Sequence, residues 1–348
     1  MRILHASHIS NYTPPVGYGG IELMVDTLAR EQVAKGHEVL VLGVKPRDVG
    51  TPYGLRAVFA KPVGTPGLWR KLYYSLTLLE VASFGDFDVV HIHVQWLTPA
   101  ASLIERLAKR PTVLTLHADP SKAVARFRVP MVAISQSQKS RLERLGIKPI
   151  AVIYNGIDIK RYPFRTDKDD FFVYLGRIDE TKGLHIAIEA VKALNEKLVI
   201  MGPITNLRYF NTFIKPFIDN KGIVYLGEVD FETKVEYLSR AKALLYPVQY
   251  DEFFGVAMVE ALATGTPVIG FQRGSVAEIV RDGVTGYLVK DAEEMRRAMK
   301  SVDKLNTREC RRDVEKRFSS VAMAKRYEEL YKTLLENYKN LHHIFNVG

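Results

Sequence analysis

The fold is decided by one stretch of the sequence, Tyr246-Pro-Val-Gln-Tyr-Asp-Glu-Phe-Phe-Gly-Val-Ala-Met-Val-Glu-Ala-Leu-Ala-Thr-Gly-Thr-Pro-Val-Ile-Gly270. An apolar strand ends at the beginning of this stretch, and a polar loop that contains Glu252 follows. Apolar residues at helical spacing then run from near Gly255 to Gly265. A second apolar run comes next. Strand, loop, helix and strand in this order predict a parallel βαβ unit, whose ligands bind at the carboxyl ends of the strands. We therefore expect Glu252 and Glu260 at the mouth of a binding site.

Two opposite chemical properties meet at that mouth. A helix that begins at Phe254-Gly255 and continues with Val256 presents free N–H groups and a partial positive charge, which suit a phosphate or diphosphate. Carboxylates repel such an anion, so Glu252 and Glu260 are interpreted as acceptors for hydroxyl groups. A nucleotide sugar, with a diphosphate between two hydroxyl-rich rings, satisfies both properties. The alternative is that Glu252 offsets the helix dipole and Glu260 is a solvated helix residue.

The same residues resemble the signature of glycosyltransferase family 4, in which two glutamates are separated by seven residues. Here these are Glu252 and Glu260, with Phe254-Gly255 between them and Ala-Leu-Ala-Thr-Gly-Thr-Pro-Val-Ile after them. Enzymes of that family are retaining and use nucleotide sugars. The resemblance implies the GT-B fold, an α/β architecture of two doubly wound, Rossmann-like parallel-sheet domains that face a central cleft. It spans nearly the whole chain, although residues 49–85 match only loosely.

Composition indicates a globular chain with room for two domains. Of its 348 residues, 47% are hydrophobic and 25% are charged, which is unlike a disordered chain. Lys and Arg number 49 against 39 Asp and Glu, and the net charge of +10 favours anionic partners. The charges are spread along the chain without a run of one sign, so we expect no nucleic-acid partner.

The single cysteine and the amino-terminal sequence predict the compartment. Cys310 has no second cysteine to pair with, which fits a reducing environment, and no Cys or His cluster has zinc spacing. The residues after Met1 lack the long apolar segment of a signal peptide. No run approaches the roughly 18 apolar residues that a membrane-spanning helix requires. We expect a cytoplasmic protein.

Apolar strands and amphipathic helices alternate along both halves of the sequence, as in doubly wound parallel sheets. In the first half, strands are expected at 1–6, 37–42, 55–60, 88–92, 112–116, 131–134 and 150–153, and helices at 21–35, 68–82, 99–109 and 138–145. After a polar, turn-rich segment at 155–170, strands are expected at 171–175, 198–201, 223–226, 243–246, 267–269 and 286–289. The predicted domains are 1–160 on the acceptor side, 161–322 for the nucleotide sugar, and 323–348. This last segment is predicted as a C-terminal helix that, in GT-B enzymes, crosses back to the first domain.

A glycine-rich loop, Gly17-Tyr18-Gly19-Gly20, precedes the first long helix. It lacks the third glycine of a dinucleotide fingerprint and the Gly-Lys-Ser/Thr of a Walker loop. A glycine pair directly before a helix can approach a phosphate closely, and a plain flexible loop is the alternative interpretation. The resemblance implies that Gly19 and Gly20 pack against the donor diphosphate and the acceptor, with Tyr18 and Glu22 as weaker candidates.

His117 directly follows an expected strand, so it lies at a carboxyl-terminal sheet edge, where ligands bind. The resemblance implies that this histidine lies over the reacting sugar and bonds its hydroxyls. The alternative is a strand-end histidine that the backbone satisfies. His91 and His93 are similarly placed and are interpreted as packing and hinge residues.

The second half contains another candidate constellation, Gly176-Arg177-Ile-Asp-Glu-Thr-Lys182, directly after its first strand. Two fixed cations at this loop can neutralise a departing diphosphate. A solvated surface pair is the alternative. The resemblance also implies that main chain and the apolar side chain of Val229, after a later strand, receive the base.

No metal and no cofactor are expected. The Asp-x-Asp pattern Asp86-Phe-Asp88 runs directly into a strand, and no Asp-x-Asp metal motif is identified in a suitable loop. Charge stabilisation by Arg177 and Lys182 makes a divalent ion unnecessary.

Together these residues predict a retaining hexosyltransferase that moves a hexose from a nucleoside-diphosphate sugar, UDP or GDP based, to an acceptor hydroxyl. Arg177, Lys182 and the amides near Gly255 stabilise the leaving diphosphate, and Glu260 holds the ribose. Glu252 and His117 hold the sugar. The acceptor, whether a glycan, a lipid-linked or a small molecule, stays open. A GT-B sugar-nucleotide 2-epimerase lacks this two-glutamate signature, and a glycogen-synthase-like glucosyltransferase would carry Lys-x-Gly-Gly, which is absent.

One helix suggests contact with an anionic membrane. Leu68-Trp-Arg-Lys-Leu-Tyr-Tyr-Ser-Leu76 combines basic and aromatic residues, consistent with docking at the inner membrane face to reach a lipid-linked acceptor. Ordinary helix packing explains the same residues. A non-enzymatic nucleotide- or membrane-binding module is the remaining rival, but it leaves the two glutamates and two cations unexplained.

Overall fold

The computed structural model describes residues 1–17, 19–47, 49–64, 67–83, 86–108 and 110–345. The chain divides into two compact units, Met1–Gly156 with Ser320–Gly348, and Ile157–Ser319. The limits expected from the sequence were 160/161 and 322/323. Tyr18, a weaker candidate of the glycine-rich loop, lies outside the described residues.

The strands and helices alternate as the hydrophobic pattern predicts. The strands are β1 Arg2–Ala6, β2 Glu38–Val44, β3 Gly54–Phe59, β4 Val89–Ile92, β5 Thr112–Leu116, β6 Met131–Ala133, β7 Ala151–Val152, β8 Phe172–Leu175, β9 Leu198–Met201, β10 Ile223–Tyr225, β11 Leu244–Tyr246, β12 Val268–Phe271 and β13 Gly286–Val289. The α-helices are α1 Gly20–Ala34, α2 Gly67–Ser83, α3 Thr98–Leu103, α4 Gln136–Arg144, α5 Leu184–Leu194, α6 Leu207–Tyr209, α7 Phe231–Arg240, α8 Val256–Ala263, α9 Val276–Ile279, α10 Ala292–Met299, α11 Thr307–Arg317 and α12 Ser320–Phe345.

The helix expected at 99–109 is shorter as an α-helix than the pattern indicates. After α3 the chain continues as a π-helical turn, Ile104–Ala108. A spacing of apolar residues near 3.6 does not distinguish one wider turn from an α-helical turn, so the sequence carried no sign of the change.

The first unit is a seven-stranded parallel sheet in the order β3-β2-β1-β4-β5-β6-β7. Its central strands are buried on both faces, and this explains why they appear in the sequence as unbroken apolar runs. The strand order reverses between β1 and β4, which places the carboxyl ends of β1, β4 and β5 next to each other. The long helix α12 returns to this unit and packs its Tyr327 and Tyr331 into the same apolar cluster as α1.

The second unit repeats the plan with six parallel strands in the order β10-β9-β8-β11-β12-β13. The order again reverses in the middle of the sheet, between β8 and β11. As a result, the loop after β8 and the loop that leads from β11 to α8 leave the sheet side by side, although they are far apart in sequence. Across the part of the chain that the structure describes, no helix is both long enough and apolar enough to cross a membrane.

Candidate functional site

In the second unit, the two loops at the reversal point meet through an ion pair. Nζ of Lys182 lies 2.7 Å from Oε2 of Glu252 and 2.6 Å from the hydroxyl of Tyr250. Lys182 ends a short 3-10 turn whose first residues are ordered by Asp179, since its carboxylate accepts from the main-chain N–H of Lys182 at 3.2 Å. The fold thereby brings together a predicted cation of one loop and a predicted carboxylate of the other.

Glu252 is held as a carboxylate by several donors. Besides Lys182, its oxygens accept from the hydroxyls of Tyr246 at 2.6 Å and of Tyr250 at 2.9 and 3.0 Å, and from the N–H of Phe253 at 3.1 Å. Burial acts to raise the pKa of Glu252, but the ammonium and the hydroxyl donors outweigh it and hold that pKa below its ordinary value. Glu252 is therefore a buried anion that is fixed by hydrogen bonds.

Arg177 is placed differently from Lys182. Its side chain is 41% exposed and its closest acidic partner is Asp179 at 3.7 Å, a long and weak ion pair. The two cations predicted to act together therefore differ in exposure and in the strength of their ion pairs. Lys182 is already paired with a buried carboxylate, while Arg177 extends toward solvent.

Glu260 forms a second cluster on α8. Its Oε1 accepts from the hydroxyl of Tyr162 at 2.8 Å and from Nζ of Lys234 at 2.5 Å. Only 4% of Glu260 is exposed, which rules out the alternative of a solvated helix residue. Within the described ranges its second oxygen, Oε2, has no hydrogen-bond partner, so this carboxylate retains a free acceptor.

The start of α8 requires a glycine. Gly255 has φ +81°, and a Cβ at this position would lie 2.4 Å from Cε of Met258 and 3.1 Å from the hydroxyl of Tyr246. Both the backbone conformation and the surrounding atoms therefore require glycine directly before α8.

The remaining predicted residues of this unit contribute mainly main chain or packing. Phe254 is buried and packs edge to face on Phe318, with ring centroids 5.8 Å apart. Gly176 directly follows β8 and donates its N–H to the carbonyl of Met201 at 3.1 Å. Val256 is the first residue of α8 and is half-buried. Val229 is half-buried after β10, two strands away from β8.

In the first unit, the glycine pair has two different environments. Gly19 is buried, and a Cβ there would lie 2.9 Å from Cβ of Pro15 and 3.2 Å from Oε2 of Glu22. Gly20 is exposed, and a Cβ there would meet nothing within 4 Å. Close packing therefore accounts for Gly19, while Gly20 leaves open space at the amino end of α1. Burial raises the pKa of Glu22 in the first turn of that helix.

His117 lies directly after β5 and is half-buried, with Nε2 at 3.1 Å from Nδ1 of His93. Burial lowers its pKa to about 4, so the imidazole is neutral at physiological pH. His93, in turn, lies 3.0 Å from Nδ1 of His5 through its Nε2. Among the described residues, no main-chain group hydrogen-bonds to the imidazole of His117, contrary to the alternative interpretation. Instead its partner is another imidazole.

Sequence reasoning missed the side chains that hold the predicted ones. Tyr246 and Tyr250 flank Glu252, whereas Tyr162 and Lys234 converge on Glu260 from other elements. Behind His117, the residues interpreted as packing and hinge positions, His91 and His93, belong to a hydrogen-bonded set. The available signal was the recurrence of histidine at the ends of neighbouring strands, His5, His91, His93 and His117.

Two family models together match residues 18–322. The first, Glycosyltransferase Family 4, matches residues 18–161. The second, Glycosyl transferases group 1, matches residues 157–322. Their junction falls where the chain divides into its two compact units.

Similar proteins agree with these matches. The chain is 28% identical over 304 residues to a phosphatidyl-myo-inositol mannosyltransferase of Mycobacterium leprae, which covers 78% of this chain and 79% of that protein. It is 28% identical over 362 residues to a glycogen synthase of Mycobacterium tuberculosis, covering 87% and 86%. Among solved structures, Anabaena HepE in complex with UDP-glucose has a TM-score of 0.76 and 18% identity over 96% of this chain and all of that chain (100%), a likeness of fold.

Proposed function

Since the chain belongs to the glycosyltransferases of family 4 and group 1, we propose that it transfers a hexose from a nucleoside-diphosphate sugar to an acceptor hydroxyl with retention of configuration. The observation that carries this proposal is the pair of buried glutamates on either side of Gly255. Glu252 is fixed as an anion, and Glu260 keeps one oxygen free. Hydroxyl groups, and not phosphates, are the ligands that such carboxylates accept.

The donor is bound by residues of the second unit. Glu260 accepts the ribose hydroxyls through its free Oε2. The diphosphate takes the amino end of α8, together with Arg177, whose side chain is free to reach it, and Lys182. Negative charge that develops on the leaving diphosphate strengthens these contacts in the transition state, which is the condition for catalysis. These cations replace a divalent ion, so the reaction proposed is independent of metal and of any cofactor.

In the second unit, the residue proposed to bind the sugar is Glu252. Glu252 keeps its charge because its donors hold its pKa low, and it accepts sugar hydroxyls. For His117 of the first unit, the proposed role is that of a neutral imidazole that bonds a sugar hydroxyl. The acceptor hydroxyl attacks on the face from which the diphosphate departs.

A glucosyltransferase of the glycogen-synthase type is the second candidate, favoured by the similarity to such an enzyme over 87% of this chain. The loop Gly17-Tyr-Gly-Gly20 lacks the Lys-x-Gly-Gly form of those enzymes. Incubation with radiolabelled ADP-glucose or UDP-glucose and a soluble glucan distinguishes the two, and label in the glucan would favour the second candidate.

The test of donor binding is a thermal-shift panel of UDP, GDP, ADP and their glucose and mannose conjugates, with and without EDTA. A ligand at a hundred times its dissociation constant adds roughly 2.7 kcal/mol of stability. We expect one nucleotide to stabilise the wild type equally in EDTA, and Glu260→Ala to lose that gain. Glu236→Ala, which removes an exposed glutamate of α7, is the matched control and should keep it. Binding that needs a divalent ion would contradict the metal-independent mechanism.

For the acceptor side we propose peripheral contact with the anionic inner face of the cytoplasmic membrane. Along α2, Leu68 is 72% exposed, Trp69 37% and Leu72 41%, with the cations Arg70 and Lys71 exposed between them. Apolar side chains beside cations fit a bilayer of anionic lipids, and a lipid-linked acceptor would lie there.

Pelleting with phosphatidylglycerol vesicles at low and high salt tests this contact. We expect salt-sensitive pelleting that Leu68→Ser with Leu72→Ser weakens. Leu207→Ser is the control, since this residue is similarly exposed, at 64%, in the second unit. Pelleting that is absent at low salt would remove the membrane from the proposal.

A further inference from the structure

Four histidines of the first unit replace apolar side chains at one end of the sheet. His5 of β1 and His91 of β4 are direct neighbours across the two strands, on the face that α1 and α12 cover. His93 and His117 follow on the same side at the ends of β4 and β5. His5, His91 and His93 are almost completely buried. Buried polar groups are costly unless they are hydrogen-bonded, so the partners of each ring nitrogen matter.

Three of these rings form a chain that starts at Gln32 of α1. Oε1 of Gln32 lies 2.7 Å from Nε2 of His5, and Nδ1 of His5 lies 3.0 Å from Nε2 of His93. Nδ1 of His93 lies 3.1 Å from Nε2 of His117. The second and third links each join ring nitrogens of two histidines, and the chain of hydrogen bonds ends at His117, the predicted sugar-contacting histidine.

The direction of the hydrogen bonds follows from the first link. A carboxamide oxygen only accepts, so His5 carries its hydrogen on Nε2 and its Nδ1 is an acceptor. His93 must then donate from Nε2 and accept at Nδ1, and His117 must donate from Nε2. These donor and acceptor positions apply to neutral rings, each with one N–H.

Burial keeps the rings neutral. It lowers the pKa of His5 to about 4 and that of His117 to about 4, and it lowers the pKa of His93 well below its ordinary value. The other end of the Gln32 amide is also engaged, since Nε2 donates to the hydroxyl of Tyr331 at 3.4 Å. Because a tyrosine hydroxyl can donate or accept, the direction of the hydrogen bonds follows from the amide orientation in the structure, with Oε1 of Gln32 toward His5.

We propose that Gln32, His5 and His93 are positioning residues that hold His117 as the Nε2–H tautomer, so that its Nδ1 lone pair accepts a hydroxyl hydrogen from the bound sugar. Nδ1 of His117 makes no hydrogen bond within the ranges that the structure describes. That a sugar supplies this hydroxyl rests on the proposed function. The tautomer of His117, in contrast, is a property of the protein without any ligand. Reversing the Gln32 amide would reverse every link and turn Nδ1 into a donor.

A metal ion is the competing occupant of this cluster. One ligand atom each from His5, His91 and His93 lies within 4.8 Å of the others. A metal would need a free lone pair from each ring. In the structure both nitrogens of His91 are engaged, Nδ1 with Tyr331 at 2.6 Å and Nε2 with Thr115 at 2.7 Å. The hydrogen-bonded chain is thus the arrangement that the observed contacts favour.

The test measures tautomers directly on the complete protein labelled with ¹⁵N-histidine. Two-bond ¹H–¹⁵N correlation spectra at pH 7.5 distinguish Nδ1–H from Nε2–H for each ring, with resonances assigned from single His→Gln variants. We expect Nε2–H for His5, His93 and His117. An Nδ1–H tautomer of His117, or one molar equivalent of a transition metal in the protein as purified, would overturn the proposal.

Gln32→Met tests the origin of the direction. It should convert the single tautomer of His117 into a mixture and lower kcat/KM about tenfold, the loss of one hydrogen bond of ordinary strength. Thr115→Val is the matched control, because it removes an equally buried partner of His91 outside the chain. It should leave the tautomer unchanged and activity within about twofold.

A Gln32→Met protein that folds and keeps a pure Nε2–H His117 would overturn the role of Gln32. If the variant does not fold, the wild-type spectrum still decides the tautomer. If His117 is the Nε2–H tautomer but the protein binds none of the nucleotide sugars, the sugar is overturned as the hydroxyl donor. The chain of hydrogen bonds from Gln32 to His117 would still stand.

Discussion

Lys182 and Glu252 share an ion pair in which the two side chains are only 13% and 6% exposed. Such a pair gives little net stability relative to apolar residues, but removing one partner leaves an uncompensated buried charge. The hydroxyls of Tyr246 and Tyr250 complete the site on the Glu252 side. The residue predicted to neutralise a diphosphate therefore also stabilises the carboxylate predicted to hold the sugar.

Lys182→Met tests this double role. We expect it to lower the free energy of unfolding by roughly 3–5 kcal/mol and to raise the pKa of Glu252, because the buried carboxylate loses its ammonium partner. Urea unfolding at pH 7.5 measures the change. Arg297→Met breaks an ion pair with Glu293 whose side chains are 64% and 68% exposed, and it should change stability by less than about 0.5 kcal/mol. Equal effects of the two variants would show that burial of the Lys182 pair is unimportant.

At the scale of elements, the start of α8 depends on a backbone conformation. Gly255 takes φ +81° directly before the helix, next to the hydroxyl of Tyr246 and the side chain of Met258. The helix begins immediately after this glycine, and no side-chain hydrogen bond caps it among the described residues. The pattern of Phe254-Gly255 before an apolar helix made the start predictable, whereas the crowding around the glycine is a tertiary feature.

Gly255→Ala should be more damaging than its conformation alone explains. Gly283 offers a control with φ +70° and nothing within 4 Å of an added Cβ. We expect Gly283→Ala to cost about 1 kcal/mol of unfolding free energy for backbone strain. Gly255→Ala should cost about 1–3 kcal/mol more, since overpacking adds to the strain, and should abolish nucleotide binding in the thermal-shift panel. Unimpaired nucleotide binding by Gly255→Ala would exclude the amino end of α8 as the diphosphate site.

At the scale of the whole molecule, buried histidines make stability depend on pH. Burial lowers the pKa values of His5, His91, His93 and His117 in the native state. In the unfolded chain these histidines have pKa values near 6.5. Their contribution to the free energy of unfolding is therefore fully present above that pH. It falls as pH decreases toward about 4, because only the unfolded state takes up the protons. Two carboxyls, the half-buried Glu105 and the buried Glu22, oppose this trend, since desolvation raises the pKa of Glu105 to about 7 and also raises that of Glu22.

We expect the histidines to dominate between pH 6.5 and 5. A group like His5, fully buried and with a pKa of about 4, contributes roughly 3 kcal/mol over the full range. The free energy of unfolding should fall by at least about 1.4 kcal/mol for each pH unit, the effect of one net proton. Urea unfolding at pH 7.5, 6.5, 5.8 and 5.0 measures this slope. Stability that is flat or rises on acidification would contradict the neutral, buried state of the histidines.

The sequence by itself determined the family, the fold class and the enzyme class, and these predictions are confirmed by the parallel α/β units and by the matches to glycosyltransferases. It could do so because hydrophobic periodicity and the Glu252-to-Glu260 signature are local patterns.

Only the tertiary structure decided the partners of those glutamates. Lys182 is 70 residues away from Glu252, and Tyr162 is 98 away from Glu260. Similarly, His5 and His93, 88 residues apart, meet because the strand order places β1 beside β4. Contacts of this range depend on how the strands are ordered in the sheet, which no local spacing of residues encodes.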